Sequence, residues 1–120
     1  MLSNIVTVLD VYWNKAFLKE YKAFPAKTQE DIFKLIKKYA EGEEFSALDF
    51  KTFFIDKKVK IQEFRVKDHR GNWRAVSVMP QKNTLVFLYA FHKKAQALSK
   101  KDKTIIKTRL KGFLDGKGRK

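Results

Sequence analysis

Cysteine is absent from the chain, which excludes disulfides, thiolate metal sites and a cysteine nucleophile and fits a reducing cytosol. Histidine is nearly as scarce. His69 and His92 are the only two, and neither has a second histidine or a carboxylate at metal-ligand spacing, so no metal site is expected. There is no P-loop, no GxGxxG and no nucleophile elbow, and no small-molecule cofactor is expected. No apolar stretch approaches the roughly 18 residues needed to cross a bilayer. The opening segment lacks a basic leader and its apolar run breaks at Asp10, so a soluble, cytoplasmic protein with no membrane partner is expected.

What the chain does have is aromatic residues and positive charge. Its 120 residues suit a single domain over 1–120, and 11 phenylalanines supply a real core. The net charge of +14 is unevenly placed. Residues 1–50 hold 7 basic and 8 acidic residues, whereas residues 51–120 hold 20 and 5. Such one-sided charge opposes folding through self-repulsion, and it points to a polyanion or an acidic partner more than to a solubility surface.

Hydrophobic period divides the chain into elements. Ile5–Leu9 is rich in β-branched residues and predicts an opening strand. Phe17, Tyr21 and Phe24 recur at helical spacing up to Pro25. Thr28 and Asp31 resemble a capping box for a second helix, whose stripe is Ile32, Leu35, Ile36 and Tyr39 and whose end is Gly42. Residues 43–60 have no clean period and predict an irregular segment with room for a short strand. Period two then sets in: Phe64 and Val66 share one face, and Glu63, Arg65 and Lys67 the other. After the turn cluster at 68–72, Trp73–Met79 predicts a strand ended by Pro80. Thr84–Phe91 is nearly all apolar and predicts a central strand buried on both faces. Ser99 and Asp102 cap a last helix with Ile106, Leu110 and Phe113 on its inner stripe, and residues 115–120 form a basic tail. The order β-α-α-β-β-β-α predicts an α+β fold with a mostly antiparallel sheet flanked by an N-terminal helical hairpin and a C-terminal helix.

The densest chemistry falls where the apolar strand ends, at His92, Lys93 and Lys94. Arg65 and Lys67 on a neighbouring strand and Arg74 on the next would converge with them if the strands form a meander. Such cations suit metal-free cleavage of RNA through its 2′-hydroxyl, where charge builds on the phosphorane oxygens. A base and an acid are also needed, and His92 suits either role, or else it is simply solvated. Lys93 and Lys94 fit catalysis, phosphate positioning or a merely solvated pair. Trp73, Tyr89 and Phe91 are candidates for base stacking or, more commonly for such strands, for packing. Arg74 also has a structural reading, as a partner of Glu63 or Asp68 across the hairpin.

Two segments carry a family resemblance. Phe64–Val76 resembles the paired-strand signature of phage-derived HigB-like toxins, in which an "ELRVKD" strand and a "YRV" strand flank a short turn. Leu88–Gln96 is similar to that group's "LLHGFxKKTQ" segment. The element order matches the RelE superfamily. The resemblance implies a type II toxin acting as a ribosome-dependent, metal-independent mRNA endoribonuclease, held in check by a cognate helix-turn-helix antitoxin. Its partners are then the ribosome and mRNA. On this basis Arg74, His92, Lys93 and Lys94 are catalytic candidates, and Arg65, Lys67, Arg70 and Tyr89 RNA-binding candidates. Arg74 is the expected transition-state group, and is expected to be exposed and of little consequence for folding. Tyr89 stands where relatives often carry histidine, and Ala95 where they carry threonine, so the general acid and base are unassigned. A ParE-like gyrase poison and an inert basic RNA- or DNA-binding protein are the alternatives.

Overall fold

Strand alternation builds the molecule around one sheet with two apolar faces. The computed structural model describes residues 9–43, 49–93 and 97–116. In chain order these form β1 (Asp10–Trp13), α1 (Lys15–Lys22), α2 (Ala26–Ala40), β2 (Phe50–Phe54), β3 (Lys60–Asp68), β4 (Gly71–Gln81), β5 (Thr84–Lys93) and α3 (Lys100–Leu114). The five strands lie in the order β1-β5-β4-β3-β2, antiparallel except for β1 beside β5. The α+β class and the flanking helices are as the sequence implies.

The α1–α2 hairpin covers one face, where Phe17, Phe24, Ile32 and Ile36 pack on Phe64, Trp73, Ala75, Leu85 and Phe87. Helix α3 covers part of the other, where Ile106 and Phe113 meet Ile61, Val76, Val78, Val86 and Leu88. Asn14 starts α1 by accepting from the amides of Ala16 and Phe17 at 2.8 and 3.1 Å. Ser99 and Asp102 form a full capping box at the start of α3.

Four sequence expectations need correction or placement. The strand expected over Ile5–Leu9 lies outside the described residues apart from Leu9; the strand that pairs with β5 is Asp10–Trp13. Thr28 does not cap α2, which begins at Ala26 with Pro25 at its cap and no side-chain capping bond. Proline's fixed φ suits a helix start, Thr28 is buried inside the first turns, and Asp31 binds Lys27 at 2.9 Å. Pro80 does not end β4. It falls where the β4–β5 register shifts between Val78 and Gln81, a place in the ladder where a missing amide proton costs little. The central strand is β4, because β1 adds beyond β5 and β2, within the stretch read as irregular, adds beyond β3. Thr84–Leu88 of β5 is nonetheless buried on both faces.

A bulge in β5 has an unusual seal. Val76 faces Tyr89 while Ser77 faces Phe87, leaving Leu88 as the extra residue, so Leu88 and Tyr89 both turn toward α3. Strand β1 covers β5 only as far as Phe87. Beyond it, Arg109 of α3 donates to the Leu88 carbonyl at 2.9 Å and Glu20 of α1 accepts from the Ala90 amide at 3.1 Å. The two side chains clasp each other at 2.8 and 2.9 Å across the strand edge.

Candidate nucleic-acid interface

Register decides which sequence candidates meet. Arg65 pairs with Arg74, and Arg74 with Phe91; one step outward, Lys67 pairs with Asn72, and Asn72 with Lys93. Arg65, Lys67, Arg74 and Lys93 therefore rise from three adjacent strands on the α3 face of the sheet. The guanidinium of Arg74 and the ammonium of Lys93 lie 5.8 and 5.9 Å from the Phe91 ring centroid.

Depth separates these cations. Lys67 is exposed, Lys93 half-buried, and the Arg65 side chain 12% exposed. Arg74 is only 1% exposed, which overturns the expectation of a surface arginine. It is held below the surface by Glu63, a fully buried carboxylate 3.3 Å from Arg74 Nη1 and 2.6 Å from Arg65 Nε. The pairing across the hairpin is thus the one with Glu63, and an anion flanked by two guanidiniums is what lets all three charges stay buried.

Lys93 is fixed by Asp102, which also accepts from the Tyr89 hydroxyl at 2.9 Å and the Ser99 amide at 2.9 Å. Burial pushes the Asp102 carboxyl up, but hydrogen bonds from Lys93, Ser99 and Tyr89 outweigh it and hold the group at about 2. Burial likewise pushes the Tyr89 hydroxyl well above its usual range, helped by Asp102. Tyr89 is half-buried, with Arg109 5.4 Å from its ring centroid on α3 and Phe91 stacked at 4.6 Å, so its ring is engaged in packing.

His92 and Arg70 do not join this face. His92 alternates to the hairpin side, where its ring stacks on Trp73 at 3.8 Å and its Nε2 lies 2.6 Å from the Arg70 carbonyl. Arg70 sits in the β3–β4 turn, 5.2 Å above the Trp73 ring centroid and 2.7 Å from Asp68. That turn needs Gly71: at φ +126° a side chain there is strained, and its Cβ would stand 2.9 Å from His92 Nε2. Lys94 lies outside the described residues. Among the described residues, no three His, Cys, Asp or Glu side chains are grouped to hold a metal.

Three contributors were read incompletely or not at all in the sequence. Glu63 was named there only as one of two possible partners of Arg74, not as the acid that also holds Arg65. Asp102 was legible as a cap, not as the anchor of Lys93. The third is a cavity of about 460 Å³ lined by Lys51, Thr52, Phe53, Phe54, Arg65, Ala97, Leu98 and Lys103, where β2 meets the start of α3. Nothing in the aperiodic stretch around Lys51 announced it.

No curated protein matches the chain. Among solved structures, an arginine-substituted form of the E. coli toxin RelE in the free state is similar at TM-score 0.55 and 12% identity, over 86% of this chain and 98% of that one. At that identity the likeness shows the shared fold. The family described as phage-derived Gp49-like protein matches residues 19–111. That span takes in the second half of α1, all of α2, strands β2–β5 and most of α3. The chain belongs to the Gp49-like family, a RelE/HigB-like toxin family.

Proposed function

We propose that this protein is the toxin of a type II toxin–antitoxin pair and a metal-independent endoribonuclease that cuts mRNA on the ribosome. One observation carries the reading: four cations from three adjacent strands share a single sheet face, with Lys67, Arg65 and Lys93 reaching the surface and Arg74 beneath them. A phosphodiester laid across that face meets Lys67 at its margin, Arg65 near its centre and Lys93 at the end of β5. In the reaction the 2′-oxygen attacks phosphorus, the 5′-oxygen leaves, and a 2′,3′-cyclic phosphate remains. Arg65 and Lys93 stabilise the charge on the phosphorane oxygens, and a guanidinium suits two of them at once. Arg74 acts from beneath as a positioning residue, fixing Glu63 and through it Arg65.

His92 and Arg70 reach RNA only around the end of the sheet, where the β3–β4 turn and Lys93 come together. They serve contacts to the flanking strand or to the ribosome. The partner that restrains the protein is a helix-turn-helix antitoxin, whose acidic residues complement the same face.

Tightly controlled expression in bacteria followed by primer extension on cellular mRNA tests the reading. Growth arrest with in-frame cuts, relieved by an adjacent antitoxin, is the expected outcome. DNA breaks without mRNA cuts would assign a gyrase poison, and vigorous growth at high levels of soluble protein would remove the toxin reading altogether.

A further inference from the structure

The cavity between β2 and α3 adjoins the cationic face through Arg65, which lines both. Its volume of about 460 Å³ falls within the ~300–1,000 Å³ typical of small-ligand sites. Lys51, Arg65 and Lys103 give it three cations, and no carboxylate is among its described lining residues. Phe53 supplies an aromatic wall that is still partly exposed.

The strand edge adds a second kind of contact. Arg65 donates to the Asp49 carbonyl at 2.8 Å and Ile55 to the Val59 carbonyl at 2.9 Å, which fixes the antiparallel alternation of β2. Residues 49, 51, 53 and 55 thus turn their peptide groups toward β3. Thr52 and Phe54 turn theirs outward, on the rim of the cavity. Lys51 and Phe53 meanwhile send their side chains onto the α3 face. The cavity therefore combines phosphate-binding cations, an apolar ring and a pair of fixed peptide donors and acceptors.

We propose that this cavity is a nucleotide subsite that chooses where the RNA is cut. A phosphate next to the scissile one rests on Lys51 and Lys103. Its base lies against Phe53, and the peptide groups of Thr52 and Phe54 read the base edge. Single-stranded RNA is recognised in this way, by splayed bases on aromatic surfaces with hydrogen bonds to their edges. The inference rests on the endoribonuclease reading and specifies how that enzyme selects its cut site. A protein segment pairing with the β2 edge would need acidic side chains to meet these cations and would leave the aromatic wall without a planar partner, and so fits less well.

The test compares wild type with Phe53→Leu and the Lys51→Ala/Lys103→Ala double variant, using ribosomes programmed with a defined mRNA and sequencing every 5′ end produced. Melting temperatures and binding of the cognate antitoxin are measured alongside. Phe53→Leu keeps most of the packing against the α3 side and is expected to remain folded while flattening the cut-site preference about tenfold. The double variant is expected to need about tenfold more enzyme for the same cutting and to lose salt sensitivity equivalent to about one phosphate. Unchanged cut sites and efficiency in both variants, with wild type active, would overturn the subsite and leave the nuclease standing. No cutting by wild type would remove the nuclease reading itself. Normal cutting with lost antitoxin binding would give the cavity to the protein partner instead.

Discussion

Arg74 and Glu63 show how a charge can belong to a functional face without being available on it. Removing the guanidinium leaves a fully buried carboxylate with Arg65 still 2.6 Å away on the surface side. Arg74→Ala is expected to cost about 3 kcal/mol of stability, at the low end for breaking a buried pair, because Arg65 still faces the acid. Arg74→Lys falls short too, since one ammonium does not reproduce a planar fork. Lys67→Ala, on the exposed margin, should weaken RNA binding with no change in melting temperature. Urea titration beside RNA-binding measurements separates the two. A fully stable Arg74→Ala would mean that Glu63 does not need it. Asp102 supplies a pH dependence at the same scale. Its folded-state value of about 2 lies below the ordinary 3.8, so the stabilisation is present above pH ~4 and is lost as pH falls toward 2. It amounts to roughly 2 kcal/mol. Asp102→Asn should show that loss already at pH 7 and a flatter acid limb, read from urea midpoints at pH 7 and pH 3.

Among the elements, β5 and its seal dominate. Arg109→Ala exposes the Leu88 carbonyl and unpairs Glu20, which also holds the Ala90 amide. A loss of about 2 kcal/mol is expected, with a coupling energy of about 1–2 kcal/mol to Glu20→Ala in a double-mutant cycle. Strict additivity would show that the clasp is incidental. Much of this element plan is legible in the sequence. Ser99 and Asp102 announce the start of α3, the alternation of Phe64 and Val66 sets the face of β3, and Phe17, Ile32 and Ile36 mark the hairpin core. Strand β2 was not legible because Phe-Lys-Thr-Phe-Phe does not alternate. As an edge strand it buries little, so its pattern is weakly constrained. The cationic face was readable as a set of strand positions, but not its depth. Period two tells which residues share a face and says nothing about what a facing helix or a buried acid does to them. Hence Arg74 was correctly placed beside Arg65 and wrongly expected at the surface. His92 was grouped with Lys93 by adjacency, although neighbours on a strand point opposite ways.

For the molecule as a whole, charge and shape act together. The surplus carried by residues 51–120 falls largely on β2–β5 and α3, the elements that build the cationic face, whereas residues 1–50 hold 7 basic and 8 acidic residues. Association with ribosomes should therefore weaken steeply with salt, each phosphate neutralised adding about −0.7 to −0.9 to the slope of log K against log salt. Filter binding between low and moderate salt measures it, and a slope near zero would sever the link between this charge and RNA.

The Glu20–Arg109 clasp also has a consequence in time. Its partners stand 89 residues apart, and both must reach the Leu88–Ala90 bulge before that stretch of β5 has its peptide groups satisfied. The hairpin and meander can form from nearby sequence, but this edge stays open until α3 has been synthesised and docked. The clasp is thus among the contacts that a growing chain must make late, so an interrupted chain keeps this strand edge bare.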